Sequence, residues 1–270
     1  ICEAALINKI LIAHISGGEI TEGAIDDTIR HCITKMSSLH FPGCETYRKR
    51  IIQMGEQPST VFNYGDVGVE NIYKMQYMER NQLEKDIGVS LDGEYACVTY
   101  HPTTLDDDIP ENQMNFIFTG ANADAGGQTI NECIQEYVLK HENCRYYASL
   151  GARRYLSLLK DSSMIIGNSS SGIIEAPCFG IPTVNIGIRQ KGRLQSDGII
   201  NCGVNAEEIK KAIQYARSEQ GKERAKKAVN PYGKGDTSAG IVKEIKNYLK
   251  TQGNTRKKFY DIPGWNTIGE

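Results

Sequence analysis

Short, mainly apolar runs alternate along this chain with stretches in which apolar positions return every three or four residues. The runs at 10–13, 39–41, 61–63, 95–100, 116–118, 164–166 and 183–186 predict strands. The helical rhythm predicts helices at 24–38, 44–54, 78–87, 127–140, 151–160, 171–179, 205–228 and 237–250. In the first of these, Ile25, Ile29, Ile33 and Met36 recur at helical spacing and are expected to face the core. Strand–helix–strand alternation argues for parallel sheets covered on both faces, an α/β fold. A charged helix ends at Gly88 and a new strand begins at Tyr95, which predicts a first domain over 1–88 and a second over 89–235. Residues 236–270 then form a terminal helix and tail, expected to pack back on the first domain. No internal repeat or low-complexity tract is present, and Thr255-Arg256-Lys257-Lys258 reads as a solvated basic end.

Composition narrows the function. The 270 residues carry a formal net charge of −2, without the clustered basic excess of a nucleic-acid binder. The most apolar stretch, from Ala4 to Ile15, is broken by Asn8, Lys9 and His14, so no membrane span is expected. The start at Ile1 has neither Met nor the basic region of a signal peptide. The eight cysteines form no C-x-x-C pair. They read as small apolar residues in a reducing compartment, which predicts a cytoplasmic protein.

Three clusters carry chemistry. His14-Ile15-Ser16-Gly17-Gly18-Glu19 leads into a helix bearing Asp26, Asp27, Arg30 and His31. Asp26 with Arg30 and Asp27 with His31 are i,i+4 neighbours, so one helix edge presents two carboxylates, a guanidinium and an imidazole. That grouping serves an acid and a base with separated pKa values, or two surface ion pairs. His101 follows the strand at 95–100, where the carboxyl ends of a parallel sheet face a ligand. The run Gly167-Asn168-Ser169-Ser170-Ser171-Gly172, with Glu175 one turn on, joins a strand to a helix start suited to a diphosphate. Glu175 can accept from ribose hydroxyls, and Arg189, Lys191 and Arg193 lie on a glycine-flanked loop suited to neutralising phosphate. G-x-G-x-x-G at a strand–helix turn and G-x-x-x-x-G-K-[ST] are both absent, which removes the main support for dinucleotide oxidoreductases and P-loop NTPases.

Together these motifs resemble the hydrolysing UDP-N-acetylglucosamine 2-epimerases of sialic-acid-type sugar biosynthesis. The matching runs are HISGGEITEGAIDDTIRHCITKMSSLHF from His14, YHPTTL from Tyr100, NADAGG from Asn122, GNSSSGIIEAPCFGIPTVNIGIRQKGRL from Gly167 and NPYGKGDTSAGIV from Asn230. The resemblance runs from Leu11 to Leu249. It implies two Rossmann-like domains in a glycosyltransferase-B-like arrangement, with the active site in the interdomain cleft. It also implies no metal, no redox cofactor and a homodimer or homotetramer, while the charge balance and hydropathy predict no nucleic-acid or membrane partner. The implied reaction eliminates UDP from UDP-GlcNAc to a 2-acetamidoglucal and adds water, giving N-acetylmannosamine and UDP. Carried over by position, Asn168, Ser169, Ser170, Ser171, Gly172 and Glu175 resemble the uridine diphosphate and ribose contacts, joined by Arg189 and Lys191. His101 resembles the active-site His near the phosphates, and Asp26, Asp27, Arg30 and His31 resemble the acid/base helix. Related epimerases carry a Glu two residues after the strand His; here that position is Ser16, which leaves Glu19 to take the role or the role unfilled.

The alternatives are a UDP-2,4-diacetamido-trideoxyhexose as substrate, a nucleotide-sugar glycosyltransferase of the same architecture, and an inactive nucleotide-sugar binding protein. Two complete nucleotide folds need more chain than this, so a longer protein is expected, with segments missing before Ile1 and near Pro110.

Overall fold

The computed structural model describes residues 1–22, 25–100, 114–121, 127–233, 235–251 and 256–264. In chain order its elements are α1 (Cys2–Ile7), β1 (Ala13–Ile15), α2 (Ile25–Met36), β2 (Leu39–Phe41), α3 (Glu45–Gln53), α4 (Val67–Lys74) and α5 (Arg80–Ile87). They continue with β3 (Tyr95–Thr99), β4 (Asn115–Thr119), α6 (Gly127–Lys140), β5 (Cys144–Tyr147), α7 (Gly151–Lys160), β6 (Met164–Gly167), α8 (Ser170–Ile174) and α9 (Ala176–Phe179). The chain ends with β7 (Thr183–Ile186), β8 (Ile199–Cys202), α10 (Ala206–Arg217), α11 (Glu219–Lys227) and α12 (Ser238–Thr251).

Two compact units form, one of residues 1–73, 191–194 and 231–270, the other of residues 74–190 and 195–230. This division differs from a break at 88/89. Residues 74–88 go with the second unit, where Arg154 pairs with Asp86 at 2.6 Å and the Tyr147 hydroxyl donates to the Ile87 carbonyl at 2.7 Å.

In the second unit six strands form one sheet in the order β5-β4-β3-β6-β7-β8, with every neighbouring pair parallel. All residues of β3, β6 and β7 are buried, as expected of central parallel strands covered on both faces. One face packs Val98, Phe116, Phe118 and Ile166 against Ile134 of α6 and Ile213 of α10. Toward α7, the Tyr95 hydroxyl donates to the Leu158 carbonyl at 2.8 Å. The single helix expected over 205–228 is two. The Ser218 hydroxyl accepts from the Gly221 N–H at 3.1 Å and starts α11 afresh, which is the work of an N-cap.

In the first unit β1 and β2 pair in parallel, with His14 opposite His40. The strand expected at 10–13 begins three residues later, at Ala13, and Ile10 is left 60% exposed. The strand expected at 61–63 is reduced to one bridge, between His40 and Val61. At the centre, Glu56 receives Lys35 at 2.7 Å and Lys257 at 2.6 Å, and lies 3.1 Å from His40 Nε2. Burial pushes that carboxyl up, but the three hydrogen bonds outweigh it and hold it at about 2. The carboxylate of buried Glu70 in α4 accepts from the Ser238 N–H at 2.6 Å and the Ser238 hydroxyl at 2.8 Å, which caps α12.

All eight cysteines are free. Cys44, Cys97 and Cys144 are buried, whereas Cys32 and Cys133 are exposed on the outer faces of α2 and α6 and do not act as core residues. Among the described residues no helix is long and apolar enough to cross a membrane.

Candidate functional site

The sheet order of the second unit reverses between β3 and β6, since β3 is followed by β4 on one side and β6 by β7 on the other. In an open parallel sheet this switch point leaves a crevice at the carboxyl ends of the two strands. Thr99 ends β3 and Gly167 ends β6. Gly167 has φ of +141°, and a side chain there would run into the Thr99 carbonyl, so only glycine fits this crossing. The Asn168 N–H donates to that same carbonyl at 3.3 Å. The Asn168 carbonyl accepts from buried Gln190 at 2.7 Å and from Arg189 at 3.3 Å.

Next, the Ser169 hydroxyl accepts from the Ser171 N–H at 3.3 Å and begins α8. A Cβ on Gly172 would lie 2.7 Å from Thr183 Cγ2, so glycine lets α8 close onto β7. A cavity of about 360 Å³ opens here, lined by Thr99, Thr119, Tyr155, Ser169, Ser170, Ser171, Glu175 and Arg189 among others. Because α8 spans only five residues, its dipole is weak, and Arg189 is the cationic side chain among those named along the cavity. The Ser171 hydroxyl donates to Glu175, and the Tyr155 hydroxyl lies 2.7 Å from Ser171 Oγ.

In the first unit α2 turns a polar stripe inward. Ile29, expected in the core, is 52% exposed, while Thr34 is fully buried. The stripe is Asp27, Arg30, His31 and Thr34, at helical spacing toward the loop that carries His14 to Glu19. Arg30 pairs with Asp26 at 2.7 Å and stands 3.7 Å from Asp27. His31 Nε2 is 3.6 Å from Asp27, whose other oxygen accepts from the Thr21 N–H at 2.7 Å. Glu19 is buried and pairs with Arg193 at 3.0 Å. Burial raises the Glu19 carboxyl, and Arg193 with Arg30 pulls it back only in part. His14 Nδ1 is 3.2 Å from Thr34 Oγ1, and burial, aided by the nearby His40, lowers this imidazole to about 4. Arg30 Nη1, His31 Nδ1 and Arg193 Nε are buried without a hydrogen-bond partner among the described residues, although Arg30 Nη1 is the atom that stands 3.7 Å from Asp27. Ser16 takes φ of +61°, uncommon for a residue with a side chain.

The structure therefore gathers Ser169, Ser170, Ser171, Glu175 and Arg189 around one cavity, leaves buried Asn168 and Gly172 behind its wall, and gathers Glu19, Asp26, Asp27, Arg30 and His31 around one helix edge. Lys191 belongs to the first unit, where its exposed ammonium pairs with Glu22 at 2.8 Å. His101 lies outside the described residues. Tyr155 escaped the sequence reading, since nothing local marks it. His14 was read within the first cluster and lies against Thr34 of α2, whereas Arg193, read with the phosphate-suited loop, pairs with Glu19 instead. Among the described residues no cluster of His, Cys, Asp and Glu is placed to hold a metal ion.

The profile of the UDP-N-acetylglucosamine 2-epimerase family matches residues 2–246. The chain is 39% identical to polysialic acid biosynthesis protein P7 of Escherichia coli, over 96% of this chain and 70% of that protein. It is 40% identical to the hydrolysing GDP/UDP-N,N'-diacetylbacillosamine 2-epimerase of Campylobacter jejuni, over 83% of this chain and 61% of that one. Against these two relatives the chain thus spans between 61% and 70% of their length. Among solved structures, UDP-GlcNAc 2-epimerase from Neisseria meningitidis bound to UDP-GlcNAc superposes with a TM-score of 0.76 at 16% identity, over 91% of this chain and 72% of that one. The fold is thus the α/β, glycosyltransferase-B-like fold of these proteins. With the profile spanning most of its length, this chain belongs to the UDP-N-acetylglucosamine 2-epimerase family.

Proposed function

We propose that the protein is a hydrolysing 2-epimerase that converts UDP-GlcNAc and water to N-acetylmannosamine and UDP. The observation that carries this reading is the cavity at the β3/β6 switch point, where serine hydroxyls, a carboxylate and a guanidinium converge. In this reading Arg189 and the hydroxyls of Ser169 and Ser170 take the diphosphate, and Glu175 accepts from the ribose hydroxyls. The reaction needs a base for the weakly acidic C2 proton, stabilisation of the departing diphosphate and a carboxylate to direct water. Asp26, Asp27, His31 and Glu19 supply candidates for the proton transfers. Burial of Glu19 favours a carboxyl that can carry a proton nearer neutrality, as a general acid requires. The 40% identity to a diacetylbacillosamine epimerase favours a second reading, with a UDP-2,4-diacetamido-trideoxyhexose as substrate.

Incubation with each UDP-sugar in deuterated water tests both. Release of UDP with a free 2-epimerised sugar carrying deuterium at C2 is the expected result. Turnover that depends strictly on a sugar acceptor would make it a glycosyltransferase, and binding without turnover would make it a binding protein. For the nucleotide site, Glu175→Ala is expected to weaken UDP by tenfold or more, about the contribution of hydrogen bonds to a charged group. Unchanged affinity by calorimetry removes Glu175 from the site.

A further inference from the structure

The hydroxyls behind the cavity form a chain with a direction. Ser171 has one hydroxyl proton and gives it to Glu175. The proton across the 2.7 Å between Tyr155 and Ser171 therefore belongs to Tyr155. Burial raises the pKa of this phenol, so it keeps its proton. The order of donation is Tyr155 to Ser171 to Glu175. These groups come from α7, α8 and the turn into α9, so three elements meet at one carboxylate. Aligned hydroxyl dipoles polarise one another in a low-dielectric setting.

We propose that Tyr155 is a positioning residue which, through this relay, fixes the Glu175 carboxylate to recognise a ribose diol and so makes the site selective for ribonucleotides. The proposal rests on the reading of the cavity as the nucleotide site. Ser171 alone holds Glu175 only within its own helical turn, four residues apart. Tyr155 ties that turn to α7, so the carboxylate is referenced to a second helix as well as to its own short one.

The test compares UDP with 2′,3′-dideoxy-UDP by calorimetry in the wild type, Tyr155→Phe and Ser171→Ala. The wild type is expected to prefer UDP by tenfold or more, as for hydrogen bonds to a charged group. Tyr155→Phe is expected to cut that preference by about threefold or more, the share of one neutral hydrogen bond, while the dideoxynucleotide binds as before. Ser171→Ala removes the link between the phenol and Glu175 and is expected to lower the preference at least as far. If Tyr155→Phe fails to fold, Ser171→Ala decides alone. An equal loss for both nucleotides means structural loosening and overturns the proposal, as does an unchanged preference. A wild type that does not distinguish the two nucleotides overturns both this proposal and the ribose role of Glu175.

Discussion

The Arg193 guanidinium stands 3.0 Å from the Glu19 carboxylate, with the two side chains only 10% and 6% exposed. A buried pair of this kind contributes little net stability when intact, because desolvation offsets attraction. Removing one member is different, since the other charge stays buried alone.

Arg193→Met is therefore expected to destabilise the protein by about 3–5 kcal/mol in urea unfolding. The Glu19 carboxyl already lies above its ordinary value in the folded protein. The folded state then holds the proton more tightly, so the charged form costs stability at higher pH and the cost fades as pH falls through the folded pKa. The loss in Arg193→Met should be larger at pH 8 than at pH 5. Adding Glu19→Gln should restore part of it; strictly additive losses would show that the two side chains do not interact.

A second pH dependence comes from imidazole. His14 sits at about 4 against its ordinary 6.5, and burial lowers His40 in the same direction. Between those values the unfolded chain binds a proton at His14 that the folded protein refuses, so stability falls as pH drops from 6.5 toward 4. Glu56, held at about 2, adds a separate loss as pH falls from 4.5 toward 2. Urea midpoints across this range should decline in both windows. His14→Asn should flatten the upper one, and an unaltered slope would contradict burial of a neutral imidazole.

Asp27→Asn separates chemistry from binding. The amide oxygen can still accept from the Thr21 N–H, so the loop should stay in place. Turnover is expected to fall by about 10²-fold or more if Asp27 transfers a proton, with UDP affinity nearly unchanged. Near-wild-type turnover would reduce Asp27 to a loop anchor.

Gly167→Ala probes the switch point. The added methyl group meets the Thr99 carbonyl in a backbone conformation that L-residues avoid. A loss of about 2 kcal/mol or more is expected, with weaker UDP binding, because Asn168 and Ser169 follow directly. A thermal melt at the wild-type midpoint would mean that the two strands separate at little cost.

What the sequence disclosed follows from how each element is buried. β3, β6 and β7 are covered on both faces and carry enough apolar positions to be found nearly to the residue, even with Asn185 inside β7. The outer strands were not found. Arg145 interrupts β5 and Asn201 interrupts β8, and a half-exposed edge leaves no run to detect. α4 was missed although Asp66 before it caps the Gly68 N–H at 2.7 Å, since Gly68 and Glu70 blur its apolar period. The inward face of α2 was misjudged for the opposite reason. Its apolar period points to Ile29, but the covered side carries Arg30 and Thr34, a local rule broken where the candidate chemistry lies. The Ser169–Glu175 motif was legible because its residues are neighbours in the chain. Tyr155 joins it across a gap of 16 residues that no spacing rule spans.

The strand order of the second unit also bears on how it is made. No two adjacent strands form a hairpin, so every pairing waits on a crossover, and the central one joins Ala96 to Met164. Closing so long a loop costs entropy before any contact repays it, and topologies rich in such pairings fold slowly. A chain emerging from the ribosome completes β3 long before β6 exists to cover its flank. During that interval an apolar strand with open hydrogen-bonding groups is exposed to other chains, which makes chaperone dependence and low-temperature expression natural accompaniments of this architecture.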